Sequence, residues 1–477
     1  MSRLVIVSNR VADLRAGAHS GGLAVGLADA LKERGGIWFG WDGEEDGTTG
    51  AEPQVETIGK VERIAASLSA EDLANYYLGY ANSVLWPMFH YRLDLVDYQT
   101  EFSESYWRVN ETFARQLMRF LNPDDLIWVH DYHLIPLAGF LRQLGCRQKI
   151  GFFLHIPFPP SDLLSAAPEH TRLVDALLNY DLIGFQTQTD VNNLRHYLVE
   201  SATAEQLDEN TFSFGDRILR IDRFPIGIDA AGFADMAIEA DDEVVMDQMR
   251  RRILGRRQII GLDRLDYSKG LPERFKAFGR LLEQHPELSK KVSFLQVASP
   301  TREAVDAYAD IRIELETLTG SINGRFADFN WTPLRYINRA IPREVLAPLY
   351  RGSQVGFVTP LRDGMNLVAK EYVAAQKPSD PGVLVLSQFA GAAEELTEAL
   401  IVNPYDIDEM ARQLHRALEM PLDERRERHA ALRQKVFQQD ARAWLNSFLN
   451  VLEGAGAAPA KDLADQVLPG ERTAQSS

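Results

Sequence analysis

Pro360-Leu361-Arg362-Asp363-Gly364-Met365-Asn366-Leu367-Val368-Ala369-Lys370-Glu371 decides how this chain is read. It follows a short apolar run, Val355 to Val358, with the composition of a buried strand, and it opens into good helix formers. The segment therefore reads strand, tight turn, helix, with Gly364 at the turn. The free amides and positive dipole end of such a helix suit an anion. Glu371 falls five residues past Asn366, roughly 7.5 Å along a helix. That reach suits the hydroxyls of a sugar whose phosphate sits at the helix end. The alternative is an ordinary strand–helix turn with solvated charges.

Outward from this segment the same grammar recurs. Apolar runs stand at Leu4–Val7, Leu126–Val129, Ile150–Leu154, Leu182–Phe185, Ile259–Leu262, Val292–Val297 and Val383–Leu386. Helix-compatible stretches separate many of them: Leu23–Glu33, Glu104–Leu121, Gln188–Glu200, Pro272–Gln284, Val305–Thr319 and Glu409–Glu419. Continuous apolar strands alternating with helices predict parallel sheets covered on both faces. The fold class is α/β, with two Rossmann-like, doubly wound units facing across a cleft. The charged stretch Ala234–Arg257 marks the junction. We expect an N-terminal unit over 1–235, a C-terminal unit over 236–453 with the option that its last helices pack back on the first, and a disordered tail over 454–477.

Composition narrows the class. The chain has 477 residues, 45% hydrophobic and 25% charged, long enough for two cores. One cysteine, Cys146, fits a reducing compartment. The apolar run Leu4–Val7 is too short for a signal peptide, and no run reaches the about 18 apolar residues of a membrane span. The expectation is a soluble cytoplasmic protein without membrane partners. A net charge of −17 argues against a nucleic-acid partner. Small anionic substrates then need local cations, so Arg and Lys beside strand ends become informative.

Those cations are present. Arg10 closes the first strand, and Gly21-Gly22-Leu23 beyond it lets backbone approach a ligand. Asp263-Arg264-Leu265-Asp266-Tyr267-Ser268-Lys269-Gly270 follows Ile259–Leu262, its two cations spaced to suit a diphosphate. Arg302 stands just past Val292–Val297. Exposed salt-bridge partners are the plainer reading of each cation. His130-Asp131-Tyr132-His133 and His155-Ile156-Pro157-Phe158-Pro159 also fall at strand ends. His130 and His133 are possible metal ligands or ordinary buried histidines, since no third ligand has a recognisable spacing. Asp131 is either a hydroxyl-orienting or basic group, or a structural carboxylate. Tyr76-Tyr77 and Leu85-Trp86-Pro87 are core aromatics or a sugar platform. Neither a Walker loop nor G-x-S-x-G nor H-E-x-x-H occurs.

Together these strings resemble the trehalose-6-phosphate synthase family, glycosyltransferase family 20. The segments that carry the resemblance are Val7-Ser8-Asn9-Arg10, Gly21-Gly22-Leu23, Trp38-Phe39-Gly40-Trp41, Leu85-Trp86-Pro87, Phe89-His90-Tyr91-Arg92, the two His-containing strings, Arg264 to Gly270, Asp363 to Glu371 and Leu386-Ser387-Gln388-Phe389-Ala390-Gly391. They keep family order over about residues 1 to 450. The resemblance implies the two-Rossmann glycosyltransferase-B architecture and glucose transfer from UDP-glucose to glucose 6-phosphate with retention, in trehalose biosynthesis, a stress response. It implies no metal and no cofactor, and a homo-oligomer, dimer or tetramer. By the same resemblance Asp131, His155, Arg264, Lys269 and Asp363 carry the chemistry. Arg10, Tyr77, Trp86, Asp131 and Arg302 hold the acceptor. Gly21, Gly22, His155, Arg264, Lys269, Ile341 and the run Asp363, Gly364, Met365, Asn366, Leu367, Val368, Ala369, Lys370 and Glu371 hold the donor. Trp86 and Ile156 select the anomer.

Two departures stand out: Pro160-Ser161-Asp162 stands where relatives usually end the second His string with Glu, and the loop Asp13–Ser20 carries no recognisable family pattern. Other readings stay open. They are a transferase using GDP- or ADP-glucose or accepting glycerol 3-phosphate, a pseudo-glycosyltransferase acting on cyclitols, and a silent sugar-phosphate-binding regulator.

Overall fold

The computed structural model describes residues 2–11, 27, 31, 35–45, 47–239, 255–301 and 306–455. Gly21, Gly22, Arg302, the loop Asp13–Ser20, most of the junction stretch and the expected tail lie outside the described residues.

Two sheets form the frame. The first is built from β1 (Leu4–Arg10), β2 (Gly36–Trp41), β3 (Gln54–Ile58), β4 (Val61–Ala66), β5 (Leu126–His130), β6 (Lys149–Phe153), β7 (Leu182–Phe185), β8 (Glu205–Gln206), β9 (Thr211–Phe214) and β10 (Arg217–Arg223). Its order is β3-β4-β2-β1-β5-β6-β7-β10-β9-β8. The strands from β4 to β10 run parallel, and antiparallel strands cover the edges. The second sheet contains β11 (Arg257–Arg264), β12 (Val292–Ser299), β13 (Leu334–Ile337), β14 (Val355–Val358), β15 (Val383–Ser387) and β16 (Leu400–Val402). All its pairs are parallel, in the order β13-β12-β11-β14-β15-β16. That is the doubly wound 3-2-1-4-5-6 order, in which ligands bind outside the carboxyl ends at the reversal point.

The reason lies in the strands themselves. Val5, Ile6, Val7, Ile127, Trp128, Val129, Val355 and Phe357 are fully buried. A strand hidden on both faces has no polar side to show, so helices must cover each face. The first sheet reverses between β1 and β5, the second between β11 and β14. Arg10 and His130 thus end the strands at one reversal, Arg264 and Val358 at the other.

The chain crosses between the lobes twice. It leaves the first sheet through Phe224 to Asp229 and returns at Gln439–Ala441, where the Ala441 amide donates to the Ile228 carbonyl at 3.2 Å. The last helix, Ala441–Gly454, lies on the first sheet. Phe448 stacks on Trp128 with centroids 4.5 Å apart and planes 14° apart. Gly151 and Gly184 make room for that ring.

Candidate active site

On the first lobe, Arg10 emerges at the exposed end of β1 with its guanidinium 5.8 Å from the Trp41 ring centroid. Trp41 in turn lies 5.7 Å from Tyr77, and Tyr77 stacks on His133 at 5.8 Å. Tyr77 is delivered by an unusual element, a π-helix over Leu73–Leu85. Its i→i−5 spacing recurs in side chains: Asn82 donates to the Tyr77 carbonyl and Ser83 to the Leu78 carbonyl, both at 2.8 Å. Tyr76 is anchored to Asn9 at 2.7 Å, which ties the π-helix to β1. Trp86 begins the next short helix, packed 4.1 Å from the His90 ring and 5.8 Å from Tyr132.

Asp131 follows β5 with φ 76°, a conformation that costs a non-glycine residue energy and is kept where surroundings over-determine it. Its carboxylate accepts from the His155 amide at 3.4 Å. The His155 and His130 rings share a hydrogen bond of 3.1 Å between Nε2 and Nδ1. His130 and His133 belong to no group of three metal-capable side chains among the described residues. Burial pushes His155 down to about 3, and burial first, then His155, holds His130 well below the usual range. His155 keeps a partial opening, and its ring is neutral at neutral pH.

On the second lobe, Asp266 accepts from the Ser268 amide and caps the short turn Tyr267–Lys269. Lys269 Nζ reaches Asp363 at 2.7 Å, and Asn366 Nδ2 donates to the same Asp363 oxygen at 3.1 Å. The turn expected at Gly364 is made elsewhere. Asn366 takes the left-handed backbone, φ 75°, and its side chain accepts from the Ala369 amide. Gly364 answers a different need, because a Cβ there would stand 2.1 Å from the His155 carbonyl oxygen. Leu367 and Val368 begin the helix Leu367–Ala375, where amides lack intrahelical partners.

Three positions of that run are spent within the chain. The Ala369 amide serves the Asn366 cap. Lys370 is buried, donating to the Ile226 carbonyl and to Glu395 at 2.7 Å each, so its side chain binds lobe to lobe and not a ligand. Glu371 pairs with Arg343 at 3.2 Å, and burial raises its carboxyl despite that cation. Ile341 is half-buried against the second core. Arg343 is a residue the sequence pattern did not single out; only folding brings it to Glu371.

The two walls touch. Arg264, from the second lobe, places its guanidinium 5.2 Å from the Trp86 ring of the first. Arg92 lies 5.5 Å from Tyr267, and Arg362 4.0 Å from Tyr91. Glu394 accepts from the Gln188 amide at 3.0 Å and from Arg223 at 3.3 Å. His90 sits deep at the seam. Burial, the largest influence, lowers it to about 4, and Asp266, Lys269 and Asp363 all act on it from the other lobe. The described strand-end groups thus share one gap: aromatic rings, imidazoles, Asp131 and Arg10 on one wall, Arg264, Lys269, Asp363 and helix amides on the other. Such a cleft can hold an anionic, sugar-bearing ligand pair with little water between them.

Comparison with known proteins agrees with this geometry. A Trehalose-6-phosphate synthase of Sodalis glossinidius (strain morsitans) is 47% identical over 458 residues, covering 95% of this chain and 96% of that protein. A UDP-forming alpha,alpha-trehalose-phosphate synthase from Burkholderia xenovorans, solved in complex with glucose-6-phosphate, superposes with a TM-score of 0.91 at 50% identity, covering 95% of this chain and 100% of that one. An E. coli structure bound with UDP-2-fluoro glucose superposes with a TM-score of 0.90 at 46% identity, covering 95% and 99%. Residues 6–454 match the sequence profile of glycosyltransferase family 20, and the chain belongs to that family.

Proposed function

We propose that this chain transfers glucose from UDP-glucose to glucose 6-phosphate with retention at the anomeric carbon, giving α,α-trehalose 6-phosphate and UDP. The observation that carries the reading is the meeting of both reversal points in one cleft, with Arg264 against Trp86 and Gly364 against His155. The relatives solved with glucose-6-phosphate and with UDP-2-fluoro glucose support this substrate pair.

In this reading Arg10 and Arg302 take the acceptor phosphate, while Tyr77, Trp86 and Asp131 position its sugar. Arg264 and Lys269 take the donor diphosphate. Lys269 is paired with Asp363. An arriving diphosphate replaces Asp363 on the ammonium and frees that carboxylate for a glucose hydroxyl. His155, held neutral, donates or accepts at the glucose without repelling the positive charge that develops on the ring. Glu371, which Arg343 pairs with, takes the ribose. Trp86 and Ile156 shape the anomeric face.

As the glycosidic bond breaks, charge gathers on the departing phosphate, and preorganised cations in a closed cleft stabilise it. The acceptor hydroxyl attacks from the same face and passes its proton to that phosphate oxygen. No divalent ion is called for, because the two cations do its work. Cytoplasmic location, a role in stress tolerance and assembly into a dimer or tetramer belong to the same reading. No described helix is long and apolar enough to cross a membrane.

The test is incubation with UDP-glucose and glucose 6-phosphate, following UDP release and identifying the sugar product. Trehalose 6-phosphate formed equally with or without EDTA, and far faster than product from plain glucose, is the expected result. Binding of both substrates without turnover, or preference for GDP- or ADP-glucose in a donor panel, would replace it.

A further inference from the structure

Far from the cleft, three metal-capable side chains converge. His285 ends the helix Leu271–Gln284, Glu287 lies in the turn Pro286–Leu288, and His415 projects from the helix Ile407–Glu419. The two imidazoles stack with centroids 3.7 Å apart and planes 10° apart. Both turn a nitrogen toward one carboxylate oxygen of Glu287: His285 Nδ1 at 3.0 Å and His415 Nε2 at 3.9 Å. All three ligand atoms lie within 4.8 Å of one another.

We propose that His285, Glu287 and His415 form a binding site for one divalent transition-metal ion of the zinc class. Two neutral imidazoles and one carboxylate are a borderline donor set, suited to Zn²⁺ and not to Mg²⁺ or Ca²⁺, which prefer oxygen alone. A tetrahedral ion at 2.0–2.2 Å from each ligand needs donor atoms about 3.4 Å apart. A metal lies in the plane of each imidazole that binds it, so one ring must turn out of the stack, which the solvent exposure of all three groups allows. Water completes the coordination from the open side. On binding, the ion displaces any proton shared between His285 and Glu287.

The surroundings favour a cation. Glu419 follows His415 by four residues, on the same helix face. It is held at 2.7 Å by Arg257, so it adds no unbalanced charge. Glu283 and Asp408 lie close by, each within 3.5 Å of Arg280. Arg257 and Arg280 are both engaged with carboxylates.

The location fixes the role. The helix Leu271–Gln284 starts beside Lys269 at the cleft and runs its length away, about 21 Å. The ion therefore cannot touch the substrates of the proposed reaction. It clamps two helices of the second lobe together. Because it binds the folded arrangement alone, it raises the lobe's resistance to unfolding.

The experiment uses tag-free, chelator-stripped full-length protein, with ZnCl₂ as titrant in calorimetry and thermal unfolding. One equivalent of Zn²⁺ should bind saturably and raise Tm. His285→Ala and His415→Ala should each weaken that binding at least tenfold and abolish the Tm rise. UDP release should be unchanged in both variants and in EDTA, which separates this site from the catalytic reading. Glu287→Gln, the most exposed of the three, gives the same loss with the least risk to the fold. No saturable uptake up to millimolar Zn²⁺, or uptake that survives both His substitutions, overturns the proposal.

Discussion

Arg264 and Lys269 hold positions of different kinds although one ends β11 and the other follows it by five residues. Arg264 is exposed and reaches across to Trp86, whereas Lys269 is buried and paired with Asp363. If both meet the departing diphosphate, Arg264→Ala and Lys269→Ala should each lower kcat by about 100-fold or more with Tm little changed for Arg264→Ala. Steady-state kinetics on the purified variants decides this, and wild-type turnover in either removes that residue from the reaction. The histidines make a second prediction at this scale. Burial holds His155 near 3 and His90 near 4, below the ordinary value of about 6.5. Between those values the unfolded chain binds protons that the folded chain refuses, so their contribution to stability is full above about pH 6.5 and falls as pH falls. Asp190, raised to about 6 by burial, acts in the opposite sense. The informative quantity is therefore a difference. From pH 7 to pH 5, His155→Gln should lose less stability than wild type in urea unfolding. An identical loss would mean the ring is protonated in the fold.

The helix Leu367–Ala375 depends on the residue that caps it. Asn366 both adopts φ 75° and caps the Ala369 amide. Asn366→Ala removes the cap and leaves a residue without the short polar side chain that makes this left-handed backbone tolerable, together costing about 2 kcal/mol. Asn366→Gly keeps the backbone freedom and should recover most of the loss, as read from urea midpoints. Both variants also release Asp363 from its amide partner, so the KM for the donor should rise in both. This element shows what a sequence can and cannot disclose. Val355–Val358, Leu126–Val129 and the other central strands were legible because double-sided burial leaves unbroken apolar runs. β2 was visible only as a motif, its glycines interrupting the pattern, and β3 was invisible because most of its residues face solvent. The π-helix Leu73–Leu85 escaped for a different reason: its i→i−5 bonding matches neither the helical nor the strand period. Among site groups, Arg10, Arg264 and Asp363 announced themselves by standing at strand ends. Arg343 and the His130–His155 pair did not, because their partners are distant in sequence and only the fold joins them.

At the scale of the whole molecule, two lobes share a cleft and a hinge. Contacts on the cleft side, such as Arg362 with Tyr91 and Glu394 with the start of the helix Gln188–Ser201, are individually modest and reversible. The hinge side is different, because there two chain crossings lie against each other. Gly227 is pressed so closely that a Cβ would stand 2.0 Å from the Gln439 carbonyl oxygen and 2.4 Å from the Asp440 carbonyl carbon. Its neighbours are also committed, Ile226 accepting from Lys370 and Ile228 from the Ala441 amide. Backbone cannot step aside as a flexible side chain can, so Gly227→Ala must push the crossings apart. Overpacking of this kind costs about 1–3 kcal/mol and alters the closed arrangement itself. The expected outcome is a lower Tm together with changes in both kcat and KM, the pattern of a hinge lesion. Small-angle scattering should show a smaller contraction on adding UDP than wild type shows. Gly139→Ala is the control, since its Cβ would meet nothing closer than Asn179 Nδ2 at 3.6 Å and it lies inside the helix Leu137–Gln143. That change should be neutral or mildly stabilising. Equal behaviour of the two variants would mean that closure does not pass through Gly227, and the motion would then have to be sought in the cleft-side contacts.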